Sequence, residues 1–224
     1  MPASTRANAG LCFSRPRPAS AIAPAPLDSQ AIPTDVAQAL ADTLPFLLCG
    51  EESAVHAFGR RLAGHIDSAA ALQAIADDEI RHAAWLERFA AGLPAPTSAP
   101  DPEQMAGFFR RLLTRDLARH FAHIAALDLV VCDILRPLTA SAGALSSAPL
   151  VMAGLRTIRQ DEARHVRVAR DCARALGFDA ARLREAEAEV RQSLAGLLAP
   201  VRGSLAHLGA RAFAAVELPT AAHA

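Results

Sequence analysis

From residue 33 onward, apolar residues recur every three to four positions, which is the spacing of an amphipathic helix. No stretch alternates apolar and polar residues convincingly enough to indicate a strand. The pattern predicts helices over residues 34–62, from 67 or 68 to 90, and over 102–138, 149–176, 180–198 and 201–216. The chain is therefore expected to be all-α.

Glycine and proline mark the ends of these helices. Gly64, Gly92 and Gly177 each stand just after an apolar-periodic segment, where a glycine commonly terminates a helix. Pro137 closes the third segment, and the proline-rich stretch 94–100 is expected to be an extended linker.

These breaks divide the chain into four parts. Residues 31–178 are expected to form a four-helix bundle, and residues 179–217 to form further helices that pack on it. Residues 1–30, rich in Pro, Ala and Ser, and residues 218–224 are expected to be disordered tails. The N-terminal part has arginines but no acid before Asp28, so a targeting segment is the alternative interpretation.

Composition narrows the possible partners and chemistry. The 23 basic residues, all arginine, balance 23 acids, so we expect neither nucleic acid nor a membrane as a partner. The lack of lysine excludes Schiff-base chemistry, and no apolar run approaches the ~20 residues of a membrane span. The four cysteines, Cys12, Cys49, Cys132 and Cys172, are scattered singly. This spacing suggests neither a disulfide framework nor a zinc finger, and favours a reducing compartment, hence a cytoplasmic location.

The chemistry-bearing feature is a five-residue pattern, Asp-Glu-x-Arg-His, which occurs at residues 78–82 and again at residues 161–165. In each copy the Glu and the His lie one turn apart on one helix face, so both can bind one metal ion. A single Glu-x-x-His occurs by chance, but two copies that also match at Asp and Arg are a strong signal. The pattern predicts four metal ligands: Glu79, His82, Glu162 and His165.

A di-metal site in a four-helix bundle also takes one carboxylate from each of the other two helices. Glu52 and Glu79 lie at nearly equal distances from the turn near residue 66, so they face each other in an antiparallel hairpin. Glu51 is the alternative, and points about 100° away. In the third helical segment Asp128 aligns with the second motif better than Asp133 does. We therefore predict Glu52 and Asp128 as the remaining ligands, with Glu51 left open.

The Asp and Arg of each motif are expected to support the ligands from outside. A ligating histidine donates its other N–H to a carboxylate, which fixes its tautomer, and an arginine can neutralise that buried acid. The alternative is that these residues form ordinary surface salt bridges. The predicted outer residues are Asp78, placed to bind His165, Asp161, placed to bind His82, and Arg81 and Arg164.

With these residues the sequence resembles the ferritin-like di-iron carboxylate superfamily over residues 35–177. The Asp-Glu-x-Arg-His form is more similar to its oxygen-activating members, such as monooxygenase hydroxylases, acyl-carrier-protein desaturases and N-oxygenases, than to iron-storage ferritins. The resemblance implies two iron ions, with manganese as an alternative, and oxidation of a small organic or carrier-bound substrate. It further implies a separate electron-donor protein, and it allows a homodimer.

The chain departs from the family pattern at two positions. Asp128 stands where most relatives have Glu, and Ile158 stands where N-oxygenases have an additional histidine. Two other functions remain alternatives to an oxygen-activating enzyme. One is an iron-binding ferroxidase or storage protein, and the other is a bundle without catalytic activity whose motifs form internal salt bridges.

The family topology makes a further prediction for residues 102–138. Helices two and three of such a bundle run parallel, so the chain must cross the bundle's whole length before the third helix begins. The linker is too short if that helix starts at Pro102. We therefore expect a break near Thr114 or Asp116, both good N-cap residues, with residues 103–113 forming a short helix in the crossover.

Overall fold

A computed structural model describes residues 12–13, 31–58 and 69–210 of the chain, and within these residues the regular structure is entirely helical. The predicted all-α class is confirmed. A single 3₁₀ turn, Ala199–Val201, joins the last two helices. The α-helices are α1 (Thr34–Phe58), α2 (Ala69–Ala90), α3 (Pro102–Leu112), α4 (Leu117–Leu138), α5 (Pro149–Ala175), α6 (Ala180–Leu197) and α7 (Arg202–His207).

Four long helices, α1, α2, α4 and α5, form a bundle whose directions follow from contacts between them. Helices α4 and α5 are antiparallel, because Cys132 contacts Arg159 while Thr139, further along α4, contacts Arg156, earlier in α5. Helices α2 and α5 are also antiparallel, since His165 contacts Asp78 and Trp85 packs on Gly154. Helix α2 therefore runs parallel to α4, as the crossover argument requires.

The crossover between α2 and α4 is broken where the sequence predicts. Helix α3 ends at Leu112, and Asp116 caps α4 by accepting a hydrogen bond from the Arg119 N–H at 3.2 Å. Phe108 and Phe109 of α3 are fully buried against the bundle. The predicted interruption of the 102–138 segment is confirmed.

The C-terminal helices pack on two different sides of the bundle. Helix α6 lies against α4, where Arg191 forms a 2.8 Å salt bridge with Asp133, and α7 lies against α1. The expected helix over 201–216 is wrong in length, because α7 ends at His207. Gly209 has φ +86°, and the following N–H bonds back to Leu205, so the chain turns out of the helix there.

Asp42, on α1, ties three parts of the chain together. Its buried carboxylate accepts hydrogen bonds from the backbone N–H groups of Thr97 and Ser98 at 2.8 and 3.1 Å. It also accepts from Gln38 on its own helix and from Ser204 on α7. This carboxylate fixes the 94–100 linker and α7 to the end of α1.

The N-terminal expectation needs a correction at residues 12–13. Cys12 forms a disulfide with Cys49 of α1, with the two Cα atoms 5.5 Å apart, and Phe13 packs on the core. The four cysteines are scattered along the sequence, so their spacing did not indicate this pair. Disulfide partners need to be close in space and not in sequence. The remainder of residues 1–30 and the 218–224 tail lie outside the described residues, as do the expected helix ends near Gly64 and residue 67.

Apolar side chains form two clusters, one on each side of a polar layer in the bundle. One cluster contains Phe46, Phe89 and Ile158, and the other contains Ile75 and Phe121. Both Asp-Glu-x-Arg-His motifs lie between the two apolar clusters along their helices, so they fall in the polar layer. Among the helices of the described residues, none combines the length and apolarity that crossing a bilayer requires.

Candidate metal centre

The polar layer is built from acids and histidines that all four bundle helices direct inward. Every one of these side chains is buried, with His165 0% exposed and Asp128 the most accessible at 8%. The layer consists of Glu51 from α1, Glu79 and His82 from α2, Asp128 from α4, and Glu162 and His165 from α5.

These side chains form two adjacent groups that share a carboxylate. In the first group Glu51, Glu79, His82 and Glu162 each offer one ligand atom, and these atoms all lie within 4.8 Å of one another. Asp128, Glu162 and His165 form the second group by the same measure. Because Glu162 belongs to both, the arrangement can hold two metal ions side by side.

Two carboxylates bridge the histidines. Glu79 places Oε2 3.8 Å from Nδ1 of His82 and Oε1 3.1 Å from Nδ1 of His165. Glu162 does the reverse, with Oε1 3.4 Å from His82 and Oε2 3.8 Å from His165. Each bridging acid therefore presents one oxygen to each histidine, as shared carboxylates of a di-metal site do.

Each histidine is oriented from behind by the Asp that the sequence predicts. Nε2 of His82 lies 3.2 Å from Asp161, and Nε2 of His165 lies 3.2 Å from Asp78. In the neutral imidazole, with Nε2 protonated and donating to these acids, each Nδ1 would present a lone pair to a bound metal ion.

One guanidinium joins the two outer acids. Arg164 contacts Asp161 at 3.0 Å and also binds Asp78, which Arg81 contacts as well. Burial raises the pKa of Asp78, but its hydrogen bonds from Arg164 and His165 outweigh that effect and leave the pKa below its ordinary value. Asp78 is thus held as an anion.

Without metal, protons supply the positive charge that the cluster demands. Burial and the neighbouring Glu79 raise the pKa of Glu51 well above its usual range, and burial with Glu162 does the same for Asp128. Burial lowers the pKa of His165, but the Glu162 and Glu79 carboxylates that face its Nδ1 outweigh burial and raise the pKa to about 11. A divalent cation would displace these protons, as metal binding to acids and imidazoles does.

Several buried polar atoms of the cluster have no hydrogen bond, as is expected of atoms that bind a metal ion. Among the described residues six buried side-chain nitrogen or oxygen atoms have no hydrogen-bond partner. Four of them belong to the cluster: Glu51 Oε2, His82 Nδ1, Asp128 Oδ2 and His165 Nδ1. Buried polar atoms without hydrogen bonds are costly, and one cation in each ligand group would satisfy all four. The cluster can therefore hold metal.

On α1 the structure selects Glu51 over the predicted Glu52. Glu51 Oε2 lies 3.5 Å from Nδ1 of His82, whereas the Glu52 carboxylate accepts hydrogen bonds from the backbone N–H groups of Cys12 and Phe13. One residue of helix turns a side chain by about 100°, so counting from a turn of unknown length cannot separate the two. Asp128 lies in the cluster, as predicted.

A cavity of about 30 Å³ adjoins the carboxylates on the side away from the histidines. Glu51, Glu79, Asp128 and Glu162 form its polar wall. Its apolar wall includes Phe46 and Leu47 from α1, Phe109 from α3, and Leu127 and Val131 from α4. Neither histidine lines it, so a small apolar molecule there meets only the carboxylate side of the cluster.

Comparison of the chain with models of protein families, with curated proteins and with solved structures finds no match. The class of site is therefore argued from its residues: a buried, pseudo-symmetric cluster of acids and histidines in an all-α bundle, with donors for two metal ions. Oxygen and imidazole donors suit iron and manganese.

Proposed function

We propose that this chain is a di-iron carboxylate oxidoreductase that activates dioxygen to oxidise a small organic or carrier-bound substrate. The observation that carries the proposal is the pair of Glu-x-x-His segments whose acids bridge both histidines and whose histidines each rest on an outer Asp. The same acids and histidines form ion pairs with one another, so metal content is the property that separates a metal centre from an internal salt-bridge network.

Each residue has a defined part in this function. Glu51 and His82 would hold one iron ion, Asp128 and His165 the other, and Glu79 with Glu162 would serve both. Iron bound there supplies the electrons that dioxygen reduction needs. Asp78 and Asp161 keep the Nε2 protons in place, which holds both imidazoles in the metal-binding tautomer.

The cavity supports an oxidative role. Its wall is largely apolar, which favours apolar molecules such as dioxygen or a hydrocarbon group beside the carboxylates. Since the described cavity is closed to larger groups, an organic substrate would require Phe109 or its helix to move. Electrons would come from a separate donor protein, as the family resemblance implies.

The same small volume favours a second function. About 30 Å³ admits a water or dioxygen molecule but not an aromatic ring. A ferroxidase, which oxidises Fe²⁺ with dioxygen and needs no organic substrate, fits this volume directly. Its substrate would be the iron itself.

Iron loading tests the site. The metal-free full-length chain, given Fe²⁺ without oxygen, is expected to retain two iron ions per chain after desalting, measured by elemental analysis. His82→Ala and His165→Ala should each reduce this number to one or none, because each removes a ligand of one group. His207→Ala is the matched control, since His207 is 45% exposed and pairs with Asp35 away from the cluster. Unchanged iron content in both ligand variants would refute the site.

Oxygen exposure separates the two functions. An oxygenase is expected to turn over only with a reductant and an organic substrate, and to keep two iron ions per chain. A ferroxidase is expected to consume excess Fe²⁺ catalytically and to deposit ferric mineral. Phe109→Ala enlarges the cavity and should speed oxidation of bulky apolar substrates in the first case only.

A further inference from the structure

Residues 12 and 13 are attached to α1 at the turn that carries the metal ligand Glu51. Cys12 is bonded to Cys49, and the N–H groups of Cys12 and Phe13 donate to Glu52 Oε2 at 2.7 and 3.0 Å. Glu52 is 1% exposed, so the two N–H groups satisfy a buried carboxylate. The Cys12–Phe13 pair, here called the clasp, is thus fixed to α1 by one covalent and two hydrogen bonds.

The clasp also contacts both ends of α3. Cys12 Sγ lies 3.6 Å from the carbonyl oxygen of Pro102, where α3 begins. The guanidinium of Arg110, near the end of α3, lies over the Phe13 ring at 6.0 Å from its centroid, within cation–π range. The clasp therefore joins α3 to α1.

These attachment points are sequence neighbours of the cavity wall. Cys49 precedes Gly50, and Arg110 follows Phe109, and both Gly50 and Phe109 line the cavity beside the metal ligands. The two wall residues meet closely, because a Cβ on Gly50 would lie 3.6 Å from Phe109 Cζ. Holding α1 to α3 therefore keeps this wall closed.

We propose that Cys12 and Cys49 form a reversible thiol–disulfide site, whose reaction partner is a dithiol reductant and whose reduction opens the metal cavity between α1 and α3. Cys49 is 0% exposed and Cys12 is half-buried, so Cys12 Sγ is the sulfur that a thiolate reaches. Once reduced, the clasp keeps only its non-covalent contacts, and α3 separates from α1 more often.

The reaction balances as thiol–disulfide exchange. A thiolate of the reductant attacks Cys12 Sγ, the bond to Cys49 breaks, and Cys49 leaves as a thiolate that takes up a proton. The second thiol of the reductant then loses its proton and attacks the reductant sulfur of the mixed disulfide, which releases Cys12. The protein gains two electrons and two protons, and the reductant becomes a disulfide.

Hydrogen exchange of the metal-free, full-length chain tests the opening without reference to metal. The oxidised chain is compared with the same chain treated with dithiothreitol and then freed of reductant under anaerobic conditions. Reduction is expected to speed exchange of amides 46–54 and 102–112 about 10-fold or more, as loss of a local restraint does. Exchange of amides 169–173 in α5 should not change, because these residues lie in the apolar cluster around Phe121, whereas the clasp packs on the other cluster.

Uptake of Co²⁺, followed by its visible absorption, then tests access to the site. Reduced chain and Cys12→Ser are expected to load several-fold faster than oxidised chain. Cys172→Ser is expected to keep the response to reductant, because Cys172 lies in the other apolar cluster, with Phe121, and not in the clasp. This arm rests on the proposed metal site. If no chain binds Co²⁺, the metal site fails while the exchange result still decides the clasp.

Three results would overturn the proposal. Thiol titration of the air-oxidised chain could find four free thiols, in which case the pair does not form. Equal exchange of segments 46–54 and 102–112 in oxidised and reduced wild-type chain would show that the clasp restrains nothing. Equal Co²⁺ uptake in those two states would show that access is independent of the pair. None of these comparisons depends on a variant that fails to fold.

Discussion

Glu51 and Glu52 are adjacent, buried carboxylates with different surroundings, so a matched pair of substitutions isolates the ligand. Glu51→Gln removes a negative oxygen from the first ligand group and is expected to lower metal content from two ions to one, or to weaken binding strongly. Glu52→Gln leaves the cluster intact and should keep both ions. The two substitutions lie at adjacent helix positions, and both replace Glu by Gln, a side chain of nearly the same size. They therefore form a matched pair.

Their effects on the stability of the metal-free protein should have opposite signs. The pKa of Glu51 is raised above its ordinary value of 4.5, so the folded chain binds a proton that the unfolded chain releases above that pH. The stability from this group is therefore greatest at low pH and falls as pH rises, by about 1.4 kcal/mol per pH unit. Gln mimics the protonated acid and does not titrate, so Glu51→Gln should be more stable than wild type at pH 7.5, and this difference should shrink as the pH falls toward 4.5.

Glu52→Gln should instead destabilise the chain. It replaces the charged acceptor of the Cys12 and Phe13 N–H groups by a neutral amide, at a cost of about 1–3 kcal/mol. Urea unfolding in the presence of a chelator, at pH 5 and at pH 7.5, measures both effects. If Glu52→Gln loses metal and Glu51→Gln does not, or if wild type and Glu51→Gln show the same pH dependence, the assignment of Glu51 is wrong.

Four further substitutions test how the fold and the site are supported. Asp42→Ala leaves two backbone N–H groups without their acceptor and should lower the free energy of unfolding by about 3 kcal/mol in a urea titration. Gly154→Ala forces a Cβ into the Trp85 ring and should cost about 1–3 kcal/mol and change the fluorescence of this sole tryptophan; unaltered emission would contradict the contact. Arg164→Leu should weaken metal binding about 10–100-fold by calorimetry, and Arg81→Leu, which removes only one contact to the outer acids, should weaken it less.

The parts of the fold that the sequence predicts are those set by local chemistry. Helix spacing, the Asp116 cap and the Gly177 stop are decided within a few residues, and all three occur where expected. The two motifs are informative for the same reason, because a Glu and a His one turn apart share a face whatever surrounds them. Each outer Asp contacts the histidine of the other motif, Asp78 with His165 and Asp161 with His82. This pairing also follows from the sequence, because the motif is repeated on two facing helices.

The parts that escaped prediction depend on relations between distant segments. Choosing Glu51 over Glu52 requires the α1–α2 register to within one residue, or about 1.5 Å of rise. The Cys12–Cys49 bond joins residues 37 positions apart, and the Asp42 hub draws donors from three regions of the chain. A periodic apolar pattern carries no signal for such contacts, since each depends on how already formed helices dock.

The two sides of the cluster differ in how firmly they are held. On the α2–α5 side, Arg164 links the acids behind both histidines, so imidazole positions are fixed by a connected ionic network. On the α1–α4 side, Glu51 and Asp128 face a small cavity and carry buried oxygens without hydrogen-bond partners. An oxygen without a hydrogen-bond partner gains most from a cation, because no existing hydrogen bond has to be given up for it.

This asymmetry assigns separate tasks to the two sides. Changes at the outer acids and Arg164 should alter how tightly both metal ions are held, because they act on the fixed side. Changes at Phe109, Gly50 or the clasp should alter which molecules reach the carboxylates, and how fast, because they act on the side where α3 closes the wall. The proposed function requires one side that holds the metal ions and one side that admits a reactant, and we propose that the α2–α5 and α1–α4 sides divide these tasks.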